Sequence, residues 1–159
     1  MENVFVFGSS GMLGNYLSTL LEKNGYNVMR NDRADGGIDI TDLKAVEEAI
    51  KTTNPNWVIN CSAYTNVEKA EEEKEIAFRV NADAPEYMAK VCKELNIPMV
   101  HISTDYIFGE NNPDGYTEDY VNFKPLNVYG DSKLKGEQNV LKVGGKVYLF
   151  RTSWLFGPN

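Results

Sequence analysis

The sequence predicts an α/β protein with a parallel, doubly wound sheet and helices on both faces. Three observations carry that prediction. Short runs dense in Val, Ile and Phe alternate with helix-period segments along the 159 residues. Those runs are apolar almost throughout, as in strands buried on both faces. The first of them also ends in a glycine-spaced turn that opens a helix.

Taken in order, "NVFVFG" reads as a strand that stops at Gly8. "MLGNYLSTLLEKNG" follows, with Leu13, Leu17, Leu20 and Leu21 at helical spacing and Asn24-Gly25 as its end. "YNVMRND" is the second strand. In "TDLKAVEEAIKTTNP" Thr41 is the expected N-cap, Leu43, Val46 and Ile50 share a face, and Pro55 stops the helix. "NWVINCSA" is the third strand, and "AEEEKEIAFRVNADAPEYMAKVCKELN" is one long helix or two broken ones. "IPMVHIST" is the fourth strand, "VYGDSKLKGEQNVLKVG" a helix and "KVYLFRTS" the fifth strand. Before that last helix runs the irregular "FGENNPDGYTEDYVNFKPLN", and loops of that length inside a domain usually carry function. No repeat or linker interrupts the pattern, so residues 1–159 read as one domain.

A hydrophobic share of 42% and a charged share of 25% are those of an ordinary globular chain. The formal net charge of −7, with lysines interleaved among glutamates as in "VEKAEEEKE", argues against a nucleic-acid partner. Cys61 and Cys92 lie far apart in apolar settings, which suggests buried reduced thiols and no metal site. "MENVFVFG" has no basic and apolar leader, and no apolar run is long enough for a bilayer, so the expectation is a cytoplasmic protein without a membrane partner.

Gly8, Gly11 and Gly14 stand where the first strand meets the first helix. In such a turn the first glycine permits the reversal, the second lets the backbone approach a pyrophosphate, and the third allows the helix to pack on the strand. The helix N-terminus then aims free N–H groups at the phosphates. A strand before and a helix after make this the opening of a Rossmann dinucleotide-binding domain. Asp32, roughly 20 residues on, is placed for the adenosine ribose, whereas Arg33, with Arg30 nearby, suits a 2′-phosphate. NADPH and NADH both remain open.

Tyr129 and Lys133 lie four apart on the helix that Pro125 and Asn127 introduce, so they share one face. A phenol is a poor acid near neutrality, and a neighbouring ammonium draws its pKa downward. That pairing after the fourth strand reads as a proton-donating device. His101, the only histidine, reads as a packed strand residue, and Asn81 as a structural break or cap.

Together "FGSSGMLG", "DITD", "NCSAYTNVEKAE", "STDYIFG", "PLNVYGDSK" and "RTSW" resemble the extended short-chain dehydrogenase/reductases, and within them the dTDP-4-dehydrorhamnose reductase family, in order from Val4 to Trp154. The glycine turn and the Tyr/Lys pair are common to the whole superfamily, while the last three motifs are more particular. The resemblance implies hydride transfer from NADPH or NADH to C4 of a dTDP-4-dehydro-6-deoxy sugar, as in dTDP-L-rhamnose synthesis. It implies that Tyr129 gives the proton to the keto oxygen, that Thr104 hydrogen-bonds that oxygen, and that Lys133 holds the nicotinamide ribose. By the same resemblance Asp105 and Trp154 contact the sugar. Gly11, Met12 and Leu13 cradle the pyrophosphate, Asp32 the ribose, Asp39 and Ile40 the adenine, and Ala63, Tyr64 and Thr65 the middle of the cofactor. A second reading of Thr104 and Asp105 is a capping pair after a strand. Two other family readings stand beside the reductase: a non-catalytic module like the regulatory subunit of methionine adenosyltransferase, and a sugar-nucleotide 4,6-dehydratase or 4-epimerase. Members of the reductase family are longer, so the chain is expected to represent the cofactor half without the C-terminal substrate region. Its activity alone is open, and an exposed sheet edge invites a homodimer.

Overall fold

Val4 and Val6 point to one side of the first strand, Phe5 and Phe7 to the other, and all four are buried. This is why the strand carries no polar face. In the computed structural model, which describes residues 1–110 and 112–157, it is β1 (Asn3–Phe7) of a five-stranded sheet. Asn111 of the long excursion and the terminal Pro158 and Asn159 lie outside the described residues. The other strands are β2 (Asn27–Asn31), β3 (Trp57–Asn60), β4 (Met99–Thr104) and β5 (Val147–Thr152). All neighbours are parallel, in the order β2-β1-β3-β4-β5, with Val4 opposite both Val28 and Trp57, and His101 opposite Leu149. The chain leaves β1 for β2, then passes back over β1 to β3. A crevice therefore opens at the carboxyl ends of β1 and β3, where ligands of open α/β sheets bind.

The helices are α1 (Met12–Lys23), α2 (Leu43–Thr53), α3 (Val67–Ala70), α4 (Lys74–Phe78), α5 (Ala84–Glu94) and α6 (Val128–Val143). They cover the sheet unequally. On one face α2, α5 and α6 bury Val46, Ile50, Met88 and Val140 against Phe5, Phe7, Val58 and Met99. On the other, Leu17 and Leu21 of α1 pack on Val4, Val6 and Ile59. Past α1, Tyr148 and Phe150 on the edge strand β5 are half exposed, and Tyr148 rests on Trp57 with ring centroids 5.6 Å apart. Among the described residues, no helix is long and apolar enough to cross a membrane, and no cluster of His, Cys, Asp and Glu suits a metal ion.

One expectation needs correction and one gains detail. The N-cap of α2 is Asp42, whose carboxylate accepts from the Lys44 and Ala45 amides, while Thr41 gives its amide and hydroxyl hydrogens to Asp39. A carboxylate reaches the free amides of a first turn, and the hydroxyl one residue earlier is already engaged. The long segment after β3 is one unbroken helical run, as one of the two readings expected: α4 passes through a π-helical turn at Arg79–Asp83 directly into α5, and a separate single turn, α3, precedes it. π turns insert one extra residue per turn and occur disproportionately at functional sites. Here the wide turn carries Asn81, which is buried.

Candidate active site

The glycine turn has three distinct demands, and each falls on a different glycine. Gly8 adopts φ +74°, a conformation L side chains rarely adopt, and accepts no Cβ because the Ser62 amide would lie 2.6 Å away. At Gly14 a Cβ would sit 2.1 Å from the Gly8 carbonyl oxygen, so this is where helix meets strand. Gly11 is the N-cap of α1 in extended conformation, and a Cβ there would meet nothing nearer than that same oxygen at 3.4 Å. No side chain caps α1, and its first-turn amides face the crevice without one. The turn thus offers uncommitted N–H donors and open space beside Gly11, which fits a pyrophosphate.

From this turn a cleft of about 870 Å³ runs along the carboxyl ends of β1, β3 and β4. Every site residue named from the sequence except Arg30 lines it: Gly8, Gly11, Met12, Leu13 and Gly14 at the turn, Asp32, Arg33, Asp39 and Ile40 beyond β2, Ala63, Tyr64 and Thr65 after β3, and Thr104, Asp105, Tyr129, Lys133 and Trp154 at the far end. Asn31, Ile38, Glu73 and Tyr106 also line it and were not singled out from the sequence. Nothing in their local pattern distinguishes them, since Ile38 reads as a loop hydrophobe and Glu73 as one of a run of solvated acids. Cys61 is a further wall residue. It is half-buried, not sealed in the core, and its thiol is pushed up to about 11 by burial.

At the β2 end, Asp32 accepts from the Ala34 amide at 2.9 Å and, at 3.4 Å, from the Ser10 amide, tying the second strand to the glycine turn. These backbone donors hold its pKa down despite the opposing effect of burial. Arg33 is largely exposed and pairs at 3.5 Å with Asp39. Arg30 points elsewhere. It grips Glu22 through Nε and Nη2, both at 2.9 Å, and also bonds Asn15 and Thr19 on the outer face of α1. Strand alternation explains the difference, since Arg30 lies on the face that α1 covers. Arg30 is therefore removed from the set that could meet a 2′-phosphate.

At the other end, Asn127 caps α6 by accepting from the Gly130 amide at 2.9 Å, which sets Tyr129 in the first turn. Thr104 ends β4, and its hydroxyl accepts from the Tyr106 amide at 3.3 Å, so the capping reading of this residue is realised as well. Tyr106 and Tyr129 meet edge to face at 5.6 Å. Burial raises the Tyr129 pKa, the Thr104 hydroxyl opposes that rise, and the Asp105 carboxylate adds to it. The expected lowering by Lys133 does not occur. Lys133 is 3% exposed and donates from Nζ to the Ile102 carbonyl at 2.7 Å, beneath the end of β4. Desolvation lowers its own pKa to about 8. Trp154 sits at the mouth, 81% exposed, with φ +46°, a left-handed conformation that a bulky side chain adopts only under constraint.

Two buried amides brace these parts. Asn81 accepts from the Tyr64 amide at 2.8 Å and donates to the Tyr64 carbonyl at 3.0 Å and the Ser132 hydroxyl at 2.9 Å, joining the loop after β3 to α6. Asn60 donates to His101 Nδ1 at 3.2 Å, and burial keeps that imidazole neutral, as befits a packed strand residue and not a base.

Residues 1–159 match the family described as RmlD substrate binding domain. The chain is similar to dTDP-4-dehydrorhamnose reductases of Streptomyces griseus (40% identical, covering 96% of this chain and 49% of that protein) and of Mycolicibacterium smegmatis (39%, covering 98% and 46%). Among solved structures it resembles a dTDP-4-dehydrorhamnose reductase of Bacillus anthracis in complex with NADP, with a TM-score of 0.91, 36% identity and coverage of 99% of this chain and 56% of that one. A UDP-glucose 4-epimerase of Thermus thermophilus in complex with NAD, at 23% identity and a TM-score of 0.83, shares the fold. The chain spans about half the length of the curated relatives it matches.

Proposed function

The chain belongs to the RmlD substrate-binding domain family, and from that premise we propose that it is the cofactor-binding and proton-donating part of a nucleotide-sugar 4-keto reductase. The substrate would be a dTDP-4-dehydro-6-deoxy sugar, reduced on the way to dTDP-L-rhamnose. The observation that carries this reading is the single cleft joining the glycine turn at one end to Tyr129, Thr104 and Lys133 at the other. When bound, NADPH or NADH supplies a hydride, and the nicotinamide half belongs at the β4 end if the pyrophosphate lies on the turn. Met12 and Leu13 present their amides to the phosphates, Asp32 takes the adenosine ribose, and Asp39 and Ile40 flank the adenine. Ala63, Tyr64 and Thr65 line the middle stretch. Lys133 holds the second ribose.

At the reacting end Tyr129 transfers its phenolic proton to the sugar oxygen as the carbonyl becomes an alkoxide. Its raised pKa keeps it protonated near neutrality, which is the form a proton donor needs. Thr104 hydrogen-bonds the same oxygen and stabilises the developing charge. Asp105 and Trp154 hold the sugar at the mouth. Arg33 is the one cationic side chain lining the adenosine end of the cleft among the described residues, and it favours NADPH, with Asp32 leaving NADH acceptable. A homodimer through the β5 edge belongs to the same proposal.

Calorimetric titration of the chain with NADH and NADPH tests it. Saturable binding that disappears in Gly11→Ala supports the site, and absence of binding to both sinks it. Turnover of the 4-keto sugar nucleotide should then fall by about 10²- to 10⁴-fold in Tyr129→Phe, with a far smaller change in cofactor affinity, since Tyr129 also borders the cofactor in this reading.

A further inference from the structure

Helix α6 bears a third ionisable group on the face that carries Tyr129 and Lys133, one turn beyond the lysine. Glu137 is 1% exposed, and a glutamate is almost never that buried without a partner. Its partner is Arg151 of β5, whose Nε donates to Oε1 at 3.0 Å and to Oε2 at 3.2 Å, and whose Nη2 donates to Oε2 at 2.9 Å. The other side of the guanidinium lies over the rings of Phe123 and Phe108, 4.9 and 5.6 Å from their centroids. Both rings belong to the excursion that precedes α6. Stability does not account for such a pair, because well-packed apolar residues in its place are often neutral or better.

Its position relative to Lys133 does. Besides Tyr129, the titratable and charged groups that surround this ammonium are Cys61 just after β3, His101 from β4, Glu137 from α6 itself and, behind Glu137, Arg151 from β5. Cys61 is a neutral thiol and His101 a neutral imidazole at pH 7, both because of burial. Glu137 is then the negative charge that acts on Lys133, whose one described hydrogen bond goes to a neutral carbonyl.

We propose that Glu137, locked by Arg151, is a positioning residue that keeps Lys133 in its ammonium form and seated under the end of β4. The pair also fastens the aromatic excursion to the helix that bears Tyr129. The inference rests on the reading of Lys133 as a cofactor-holding group, but it concerns a property of the chain that is measurable without turnover.

The test follows the 13Cε resonances of labelled lysine in the chain through a pH titration, with Lys133 identified by its absence from Lys133→Met. In the unsubstituted chain desolvation should place its midpoint well below that of the exposed lysines, at about 8. Glu137→Gln should move it down by about one pH unit or more. A midpoint that stays put, even if the melting temperature falls, reduces the pair to a structural brace and overturns the proposal. Should Glu137→Gln fail to fold, Glu137→Gln with Arg151→Met removes both charges together, and a downward shift smaller than that of the single variant is expected, because the guanidinium that repels the ammonium is gone as well. NADH affinity provides the second arm: in Glu137→Gln it should weaken at pH 7 and recover as pH is lowered past the new midpoint. A shifted midpoint in a chain that binds no NADH defeats the reductase reading alone. NADH binding with an unshifted midpoint defeats this inference alone.

Discussion

The two ends of the cleft are made of different materials. At the β1–α1 end the surface is backbone: glycines, an uncapped helix start and amide hydrogens, with Asp32 as a brace. At the β4–α6 end it is side chains, and the buried ones are held from behind, Lys133 by the Ile102 carbonyl and Glu137 by Arg151. An anion site built from backbone depends on local conformation, and so tolerates almost no added atom. A proton-handling site built from side chains depends on what lies behind them, and so responds to charge and pH.

The largest effect that would sharpen this contrast is at Gly14. A Cβ there would overlap the Gly8 carbonyl oxygen at 2.1 Å, so Gly14→Ala should destabilise the chain by on the order of 3 kcal/mol or more, read from denaturant unfolding. Gly11→Ala, with only a 3.4 Å contact to accommodate, should unfold within about 1 kcal/mol of the parent. Equal losses at the two glycines would break the contrast, because both would then be packing residues.

At the other end the expected effect is a pH dependence. Lys133 titrates near 8 in the folded chain and near 10.4 when unfolded, so between those values the unfolded state binds the extra proton and stability rises with pH. Cys61 and Cys92, raised to about 11 and 12 by burial, act in the opposite sense once the unfolded thiols begin to ionise at about 8.5. One ammonium and two thiols nearly cancel at about pH 8, and above it the thiols win. Melting temperature should therefore stay nearly level up to about pH 8 and fall in more alkaline solution, and in Lys133→Met the fall should begin earlier and be steeper. A decline that the substitution leaves unchanged would assign the offsetting effect to another group.

The smallest effect concerns the two arginines near β2. Arg33→Ala should weaken NADPH more than NADH, because Arg33 faces the cleft, whereas Arg30→Ala should change neither affinity, because Arg30 is spent on Glu22, Asn15 and Thr19. Loss of NADPH binding in Arg30→Ala would show that α1 releases this side chain when the cleft is filled.

The same division explains what could be read from the sequence. The glycine turn was legible because the positive φ of Gly8 and the contacts at Gly11 and Gly14 are settled within a few residues, although the Ser62 backbone that also bars a Cβ at Gly8 is remote in sequence. Tyr129 and Lys133 were legible as a pair because four residues on a helix make one face. The behaviour of that pair was not, since the shift on Tyr129 depends on burial and the Lys133 ammonium turns toward a carbonyl 31 residues away in sequence. The Glu137–Arg151 contact bridges helix and strand, and nothing local marks either residue as buried. Arg30 and Arg33 looked equivalent because they are near neighbours, and only strand alternation and the cover of α1 separate them. Thr41 for Asp42 was a slip of one position between two good capping residues. The π turn at Arg79–Asp83 left no signature beyond an asparagine in a helical stretch.

The uneven cover of the sheet has an optical consequence. The chain has two tryptophans, and they occupy two different places where the fold leaves aromatic rings uncovered. Trp57 rests on Tyr148 at the open part of one sheet face, and Trp154 stands 81% exposed at the cleft mouth. Their emission should divide accordingly, with the red-edge component reporting on what enters the cleft and the blue-edge component, fed by energy transfer from Tyr148, reporting on what comes to lie against the sheet. One unlabelled sample can then distinguish a ligand from a docking polypeptide by colour.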